Sequence, residues 1–327
     1  MSRVQESRPP VGGIESEGNP STETPALGVR ESGGALLRKA TDRDLVWRFA
    51  RQRIRAAGRQ PRLLFTRLNA WIRFRRRVRR YRIIDEAQLL ESRKSKTLFI
   101  FGSGASLNAI HEDEWREFER HDTLGFTWFV RQRFLRCDYH LIRELAPARG
   151  DRRSTRVQLE EYFAILRSNP LFLDAVFLVQ TGWRAINGNQ AIGYGLLPER
   201  NRVFLWRTLI GPRQPSTSLA RGLTHAFGTL NECVNIGFLL GWTRIVLVGI
   251  DLYDRRYFWL EPAQASDARR DEPHSTAQQG IVDLMGQWHE FLGRCGVDLF
   301  VHNPRSLLAK TLPVWPESSL ARTRTEA

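Results

Sequence analysis

Four short stretches of this 327-residue chain carry residue types that could do chemistry. Gly102-Ser-Gly-Ala-Ser106 follows an apolar run, and its glycines would let the backbone approach a ligand closely. Its amides, with the hydroxyls of Ser103 and Ser106, can donate to a phosphate or cap the next helix. Phe227-Gly-Thr-Leu230 opens a helical pattern in which the Gly228 turn and the Thr229 hydroxyl could hold an anion, and His225 lies just before it. Gly249-Ile-Asp-Leu-Tyr253 follows a second apolar run; Asp251 there can order a loop, contact a ribose or a metal, or serve as a cap. An aromatic and basic run, Tyr253-Asp-Arg-Arg-Tyr-Phe-Trp259, and a polar, Asp-rich loop then lead to His274, which titrates in the range useful to a general base. Each stretch has a plainer alternative. Strand-turn-helix units with small residues occur in α/β folds that bind nothing there, and His225, His274, His289 and His302 can each be surface or core residues. The turn lacks the lysine of a Walker loop. Cys137, Cys233 and Cys295 have neither zinc spacing nor the even count of a disulfide framework, so no metal is expected.

The elements that must position these residues alternate between strands and helices. Strands are expected at Leu98–Phe101, Thr123–Phe129, Tyr139–Ile142, Ala175–Val179, Val203–Trp206, Ile245–Ile250 and Asp298–Val301. Helices are expected at Glu112–Glu119, Val157–Leu166, Gly228–Leu240 and Ile281–Leu292. Continuous Ile, Val, Leu and Phe runs between helices predict an α/β fold: a doubly wound, mostly parallel Rossmann-like sheet with helices on both faces. In such a sheet the ligand crevice lies off the carboxyl ends of the strands, where the stretches above fall.

The net charge of +15 resembles a nucleic-acid signature, but residues 43–82 hold 15 arginines against one acid, Asp44, so the charge belongs to one segment. There Leu45, Trp47, Phe49, Leu64, Phe65, Leu68, Trp71, Ile72, Phe74 and Tyr81 interleave with arginine at near-helical spacing, and Pro61 divides the pattern into two helices. Such helices suit an anionic membrane surface, packing on their own domain, or, less favoured, nucleic acid. The expected organisation is a disordered tail over 1–40, a basic amphipathic helical segment over 41–94, a catalytic domain over 95–315 and a disordered tail over 316–327. No apolar stretch nears the roughly 20 residues of a membrane span and no secretory signal is visible, so a cytoplasmic, peripheral inner-membrane location is expected.

In order, these segments resemble the bacterial sialyltransferase family that works on lipooligosaccharide and capsule, and the related domain of archaeal hydroxymethylpterin pyrophosphokinases. Gly102-Ser-Gly-Ala-Ser-Leu107 matches their Gly-x-Gly-Pro-Ser-Leu; Leu240-Gly-Trp242, Ile245–Val248 and Gly249-Ile-Asp251 match the later strand and Gly-Ile-Asp. Tyr253, Tyr257, His274-Ser275 and Pro304-Arg-Ser-Leu-Leu308 stand where the sialyltransferases have two tyrosines, a His-Ser and Pro-Asn-Ser-Leu-Leu. The resemblance implies a metal-independent glycosyltransferase with no bound cofactor. A CMP-linked, sialic-acid-like donor would lie along Gly102, Ser103, Gly104, Ser106, Thr127, Arg143, Gly228, Thr229 and Asp251. Tyr253 and Tyr257 would meet its phosphate, and His274 would act as base. The acceptor would be a surface glycan or glycolipid, with homo-oligomerisation left open. Ala105, Ser103 and Ala226-Phe-Gly-Thr229 depart from the sialyltransferase pattern and point to an altered nucleotide or sugar. The alternatives are an ATP- and Mg²⁺-dependent pyrophosphokinase and a non-catalytic membrane- or nucleic-acid-binding protein.

Overall fold

A computed structural model of the chain describes residues 63–143, 155–210, 214–261 and 273–322. The expected tail over 1–40, the first of the two basic helices and residues 323–327 lie outside the described residues. Ten strands follow in order: β1 (Arg82–Ile84), β2 (Thr97–Phe101), β3 (Asp122–Phe126), β4 (Tyr139–Ile142), β5 (Val176–Gln180), β6 (Arg202–Trp206), β7 (Thr208–Ile210), β8 (Leu223–His225), β9 (Arg244–Val248) and β10 (Asp298–Val301). Eight of them form one sheet in the order β1-β6-β5-β4-β3-β2-β9-β10, and every pairing in it is parallel. Strands β7 and β8 make a separate parallel pair.

The helices are α1 (63–77), α2 (Glu86–Glu91), α3 (Glu112–Glu119), α4 (Thr155–Ser168), α5 (Ile186–Gly193), α6 (Thr229–Leu239), α7 (Ser275–Gln278), α8 (Ile281–Arg294) and α9 (Ser319–Arg322). Strand alternation divides the core between two layers. Leu98 and Ile100 of β2 pack with Leu230 and Ile236 of α6 and Ile281 and Trp288 of α8. Phe99 and Phe101 face the other way, onto Trp115 and Phe118 of α3 and Tyr162 and Phe163 of α4. Covering both faces requires strands apolar throughout, and every residue of β2 and β5 is buried. The expected doubly wound α/β architecture is what the chain adopts.

Three boundaries differ from the sequence expectation. The strand expected to run to Phe129 stops at Phe126: Thr127 takes φ +48° and starts a 3-10 turn, Thr127–Arg131, that buries Phe129 and Val130. The basic segment is not helical to residue 94, because Tyr81 is extended and β1 adds to the sheet edge beside β6. The end is not a loose tail from 316 onward, because Ser318 is buried and the amide and hydroxyl of Ser319 donate to Glu114, which also meets His302 Nε2 at 2.8 Å. Helix α1 packs one side on the domain, burying Ala70 and Phe74, with Arg73 over the Tyr194 ring and Arg77 paired to Glu199 at 3.1 Å.

The chain winds from β2 through β3, β4 and β5 to β6 in one direction, while β9 joins the opposite side of β2. Strands β2 and β9 therefore flank the topological switch point, and the turns at their carboxyl ends bound the crevice such sheets use for ligands.

Candidate functional site

The turn after β2 is moulded onto the turn after β9. Gly102 N–H donates to the Val248 carbonyl at 2.9 Å, and Gly104 N–H to the Gly249 carbonyl at 2.8 Å. Buried Asp251 then accepts the Ser106 amide at 2.9 Å, the Ser106 hydroxyl at 2.5 Å and the Asn303 side-chain amide at 2.9 Å. The nucleotide role expected for Ser106 and Asp251 is thereby revised: Ser106 gives both donors to Asp251, and Asp251 braces the turn. Among the described residues only the Ser103 and Ala105 amides of this turn are left without a partner. Gly104 is required by the close approach, since a Cβ there would lie 2.8 Å from the Gly249 carbonyl oxygen and closer still to the Asp251 carboxylate.

The segment after β9 folds back over this turn. Tyr257 bridges Gly104 in antiparallel fashion, Phe258 N–H donates to the Ser103 carbonyl at 3.3 Å, and Asn108 Nδ2 donates to the Phe258 carbonyl at 2.9 Å. Burial and the Asp251 carboxylate push the Tyr253 phenol up to about 12, against the Asn303 amide that bonds it, and burial raises Tyr257 as well. Both phenols stay protonated at neutral pH and can donate to an anionic oxygen. The Tyr257 ring stacks on Trp259 at 4.7 Å, and the Arg131 guanidinium lies over Trp128 at 5.0 Å and Trp259 at 5.8 Å.

His274 begins the next wall. Its N–H donates to the Leu252 carbonyl at 2.9 Å, and its Nδ1 accepts the Thr276 amide at 3.2 Å, capping the short α7. Burial, with the nearby Arg255 charge, holds the ring below the ordinary histidine value. Thr276 in turn sits against Gly228, where a Cβ would lie 3.3 Å from the Thr276 methyl. Gly228 precedes α6 with no side-chain cap, so the first-turn amides point unshielded from that end.

One turn into α6 stands a residue the sequence reading missed. Glu232 is fully buried, and its Oε1 lies 3.0 Å from Arg143 Nε, at the end of β4, and 3.0 Å from His225 Nδ1, at the end of β8. Asn231 Oδ1 accepts the Phe227 amide at 3.2 Å, and Asn235 Oδ1 accepts the Ser216 and Thr224 amides at 3.0 and 2.8 Å. Polar residues at 231, 232 and 235 within an otherwise apolar helix were the available signal. The hydroxyls of Thr127 and Thr229, both half-buried at strand or helix ends, make no hydrogen bond among the described residues.

A line of contacts thus joins Gly102–Ser106, Asp251 and Tyr253, His274, Gly228 and, through Glu232 of α6, Arg143 along the carboxyl edge; Thr127 follows β3, between the β2 and β4 ends. Outside it, His302 is committed to Glu114 and His289 lies on α8. A cavity of about 390 Å³ opens at the opposite, amino edge, lined by Lys94, Arg136, Asp138 and Arg202, where Lys94 pairs with Asp138 at 2.8 Å and Arg136 with Asp174. Among the described residues no three His, Cys, Asp or Glu side chains converge as a metal site requires.

No protein-family profile and no curated protein matches this chain. Among solved structures it is similar to the MAf glycosyltransferase from Magnetospirillum magneticum AMB-1, at 14% identity and a TM-score of 0.40, over 72% of this chain and 37% of that one. The chain spans little more than a third of that protein's length.

Proposed function

We propose that the chain is a glycosyltransferase that moves a sugar from a nucleotide-activated donor, a CMP-linked and sialic-acid-like one foremost, to a bacterial surface glycan. The observation that carries this reading is the gathering near the β2/β9 switch of an uncapped helix start at Gly228-Thr229, two protonated phenols and His274, with His225 at the end of β8 and Glu232 one turn into α6 beside Arg143 at the end of β4. That set matches the demands of transfer: donors for a leaving phosphate as its charge grows, and a base for the attacking hydroxyl. Nucleotide contacts would fall to the Ser103 and Ala105 amides, Thr127, Arg143 and Thr229. Purified protein should release CMP from CMP-linked sialic acid, faster with a glycan acceptor than with water. Turnover of ATP with Mg²⁺ and of no sugar nucleotide would favour the pyrophosphokinase alternative.

A second reading concerns location. Helix α1 leaves Leu64, Phe65, Leu68 and Ile72 exposed on one side, with exposed arginines 75, 76, 79 and 80 following. An apolar stripe bordered by arginine suits an anionic lipid surface. Docking there would bring the crevice to a lipid-linked acceptor. No described helix is long and apolar enough to cross a membrane.

A further inference from the structure

We propose that His225, oriented by Glu232, is the general base of the site, and that His274 faces the ligand as a hydrogen-bond donor. This rests on the glycosyl-transfer reading above. The argument comes from which ring nitrogen each histidine has free. His274 Nδ1 accepts the Thr276 N–H, so the neutral ring carries its proton on Nε2. That nitrogen can donate, but it cannot take a proton unless the cap is broken. His225 is arranged the opposite way. Its Nδ1 lies 3.0 Å from the Glu232 carboxylate without hydrogen-bond geometry, but a lone pair so close to that charge would be repelled, which favours the proton on Nδ1 and leaves Nε2 bare. Nε2 has no partner among the described residues, and the ring is about a fifth exposed.

Glu232 is built for this task. It is fully buried in the first turn of α6, where the helix dipole favours its charge, and Arg143 shares the same oxygen. Among the described residues neither of its oxygens, nor His225 Nδ1, nor Arg143 Nε, makes a hydrogen bond, so the three are held together by charge and proximity alone. A buried carboxylate whose charged neighbours among the described residues are one arginine and one histidine is costly to keep for packing alone, and it stabilises the imidazolium that a base becomes. In the step, His225 Nε2 takes the acceptor hydroxyl proton as that oxygen bonds to the anomeric carbon. The bond from that carbon to the donor phosphate breaks, and the nucleoside phosphate leaves with the electron pair. The imidazolium then returns its proton to solvent. Glu232 is a positioning residue and touches neither reactant.

The test begins with the full-length native protein, its histidines labelled with ¹⁵N, and long-range ¹⁵N–¹H spectra assigned with His225→Asn and His274→Asn. Expected are an Nδ1–H tautomer for His225 and an Nε2–H tautomer for His274. The reverse assignment overturns the proposal whether or not any sugar nucleotide is turned over. The second arm follows CMP release from CMP-linked sialic acid. His225→Asn should lose about 10²- to 10⁴-fold in kcat while CMP still raises the melting temperature. His274→Asn, whose amide can still donate, should keep the acidic limb of the pH profile where it was. Among the described residues Glu232 and, beyond it, Arg143 are the charged groups facing His225, so isosteric Glu232→Gln should lower kcat at least several-fold while KM moves little. An unchanged kcat in Glu232→Gln, or full activity in His225→Asn, contradicts the assignment. If native protein releases no CMP, transfer itself fails, and the spectra still decide the tautomers.

Discussion

The Asp251 carboxylate holds Ser106 by both of its donors, the amide at 2.9 Å and the hydroxyl at 2.5 Å, and so clamps the turn after β2 to the turn after β9. Removing the hydroxyl in Ser106→Ala leaves a buried carboxylate short of one donor and should cost about 1–3 kcal/mol. Asp251→Asn sets an amide NH₂ among three donors and should cost at least as much. Urea unfolding measures both, and a loss under 0.5 kcal/mol in each would show that the clamp contributes little.

Gly104→Ala should cost more than its side chain suggests, because the added methyl meets the Asp251 carboxylate and the Gly249 carbonyl. Gly293→Ala is the counter-case. It lies exposed in α8 with nothing within 4 Å of an added Cβ, so alanine should stabilise by about 0.5–1 kcal/mol. Equal effects at the two positions would contradict the close approach at Gly104.

His140 links stability to acid. It is fully buried in β4, its Nε2 lies 2.6 Å from the Tyr162 hydroxyl, and burial lowers its pKa to about 3. Below the ordinary histidine value of about 6.5 the unfolded chain takes up a proton that the folded chain refuses, so this group's contribution falls as pH drops from about 6.5 toward 3. The slope is up to about 1.4 kcal/mol per pH unit. The stability gap between native protein and His140→Gln should therefore narrow between pH 6.5 and 4. A constant gap would assign the acid sensitivity elsewhere.

Much of the sheet was legible because fully buried parallel strands must be apolar throughout. Leu98–Phe101, Tyr139–Ile142 and Asp298–Val301 fell within a residue of the observed strands for that reason. Thr127 and β1 were less legible. A positive φ at a threonine has no composition signal, and the three residues of β1 sit among arginines whose periodicity reads as helix. The candidate site divides in the same way. Glycine turns after strands mark the carboxyl edge directly, whereas the partners of Asp251 and Glu232 lie 145 and 89 residues away, at Ser106 and Arg143, and only the fold brings them together.

Helix α1 gives a prediction about location. Deleting residues 43–82 would remove buried Phe74 and Tyr81 and part of β1, so substitution on the exposed stripe is the cleaner probe. Leu64→Ser, Phe65→Ser and Leu68→Ser together should leave the melting temperature within about 2 °C and reduce flotation with vesicles of phosphatidylglycerol and phosphatidylcholine at least several-fold. Phosphatidylcholine alone should bind neither form. Unchanged flotation of the triple variant would remove the stripe from any lipid contact, and tighter binding to single-stranded RNA than to vesicles would support the nucleic-acid alternative.

The central claim, that the β2/β9 crevice holds the nucleotide of an activated sugar, is tested most directly by thermal unfolding in the presence of CMP, CDP, UDP, GDP and ATP, with native protein and Gly104→Ala side by side. Ligand at about 100 times its dissociation constant should add about 2.7 kcal/mol to the stability of the native protein, with CMP foremost and no added metal required. The same nucleotide should shift Gly104→Ala less. Native melting unmoved by all five nucleotides, or an equal shift in Gly104→Ala, would contradict the claim.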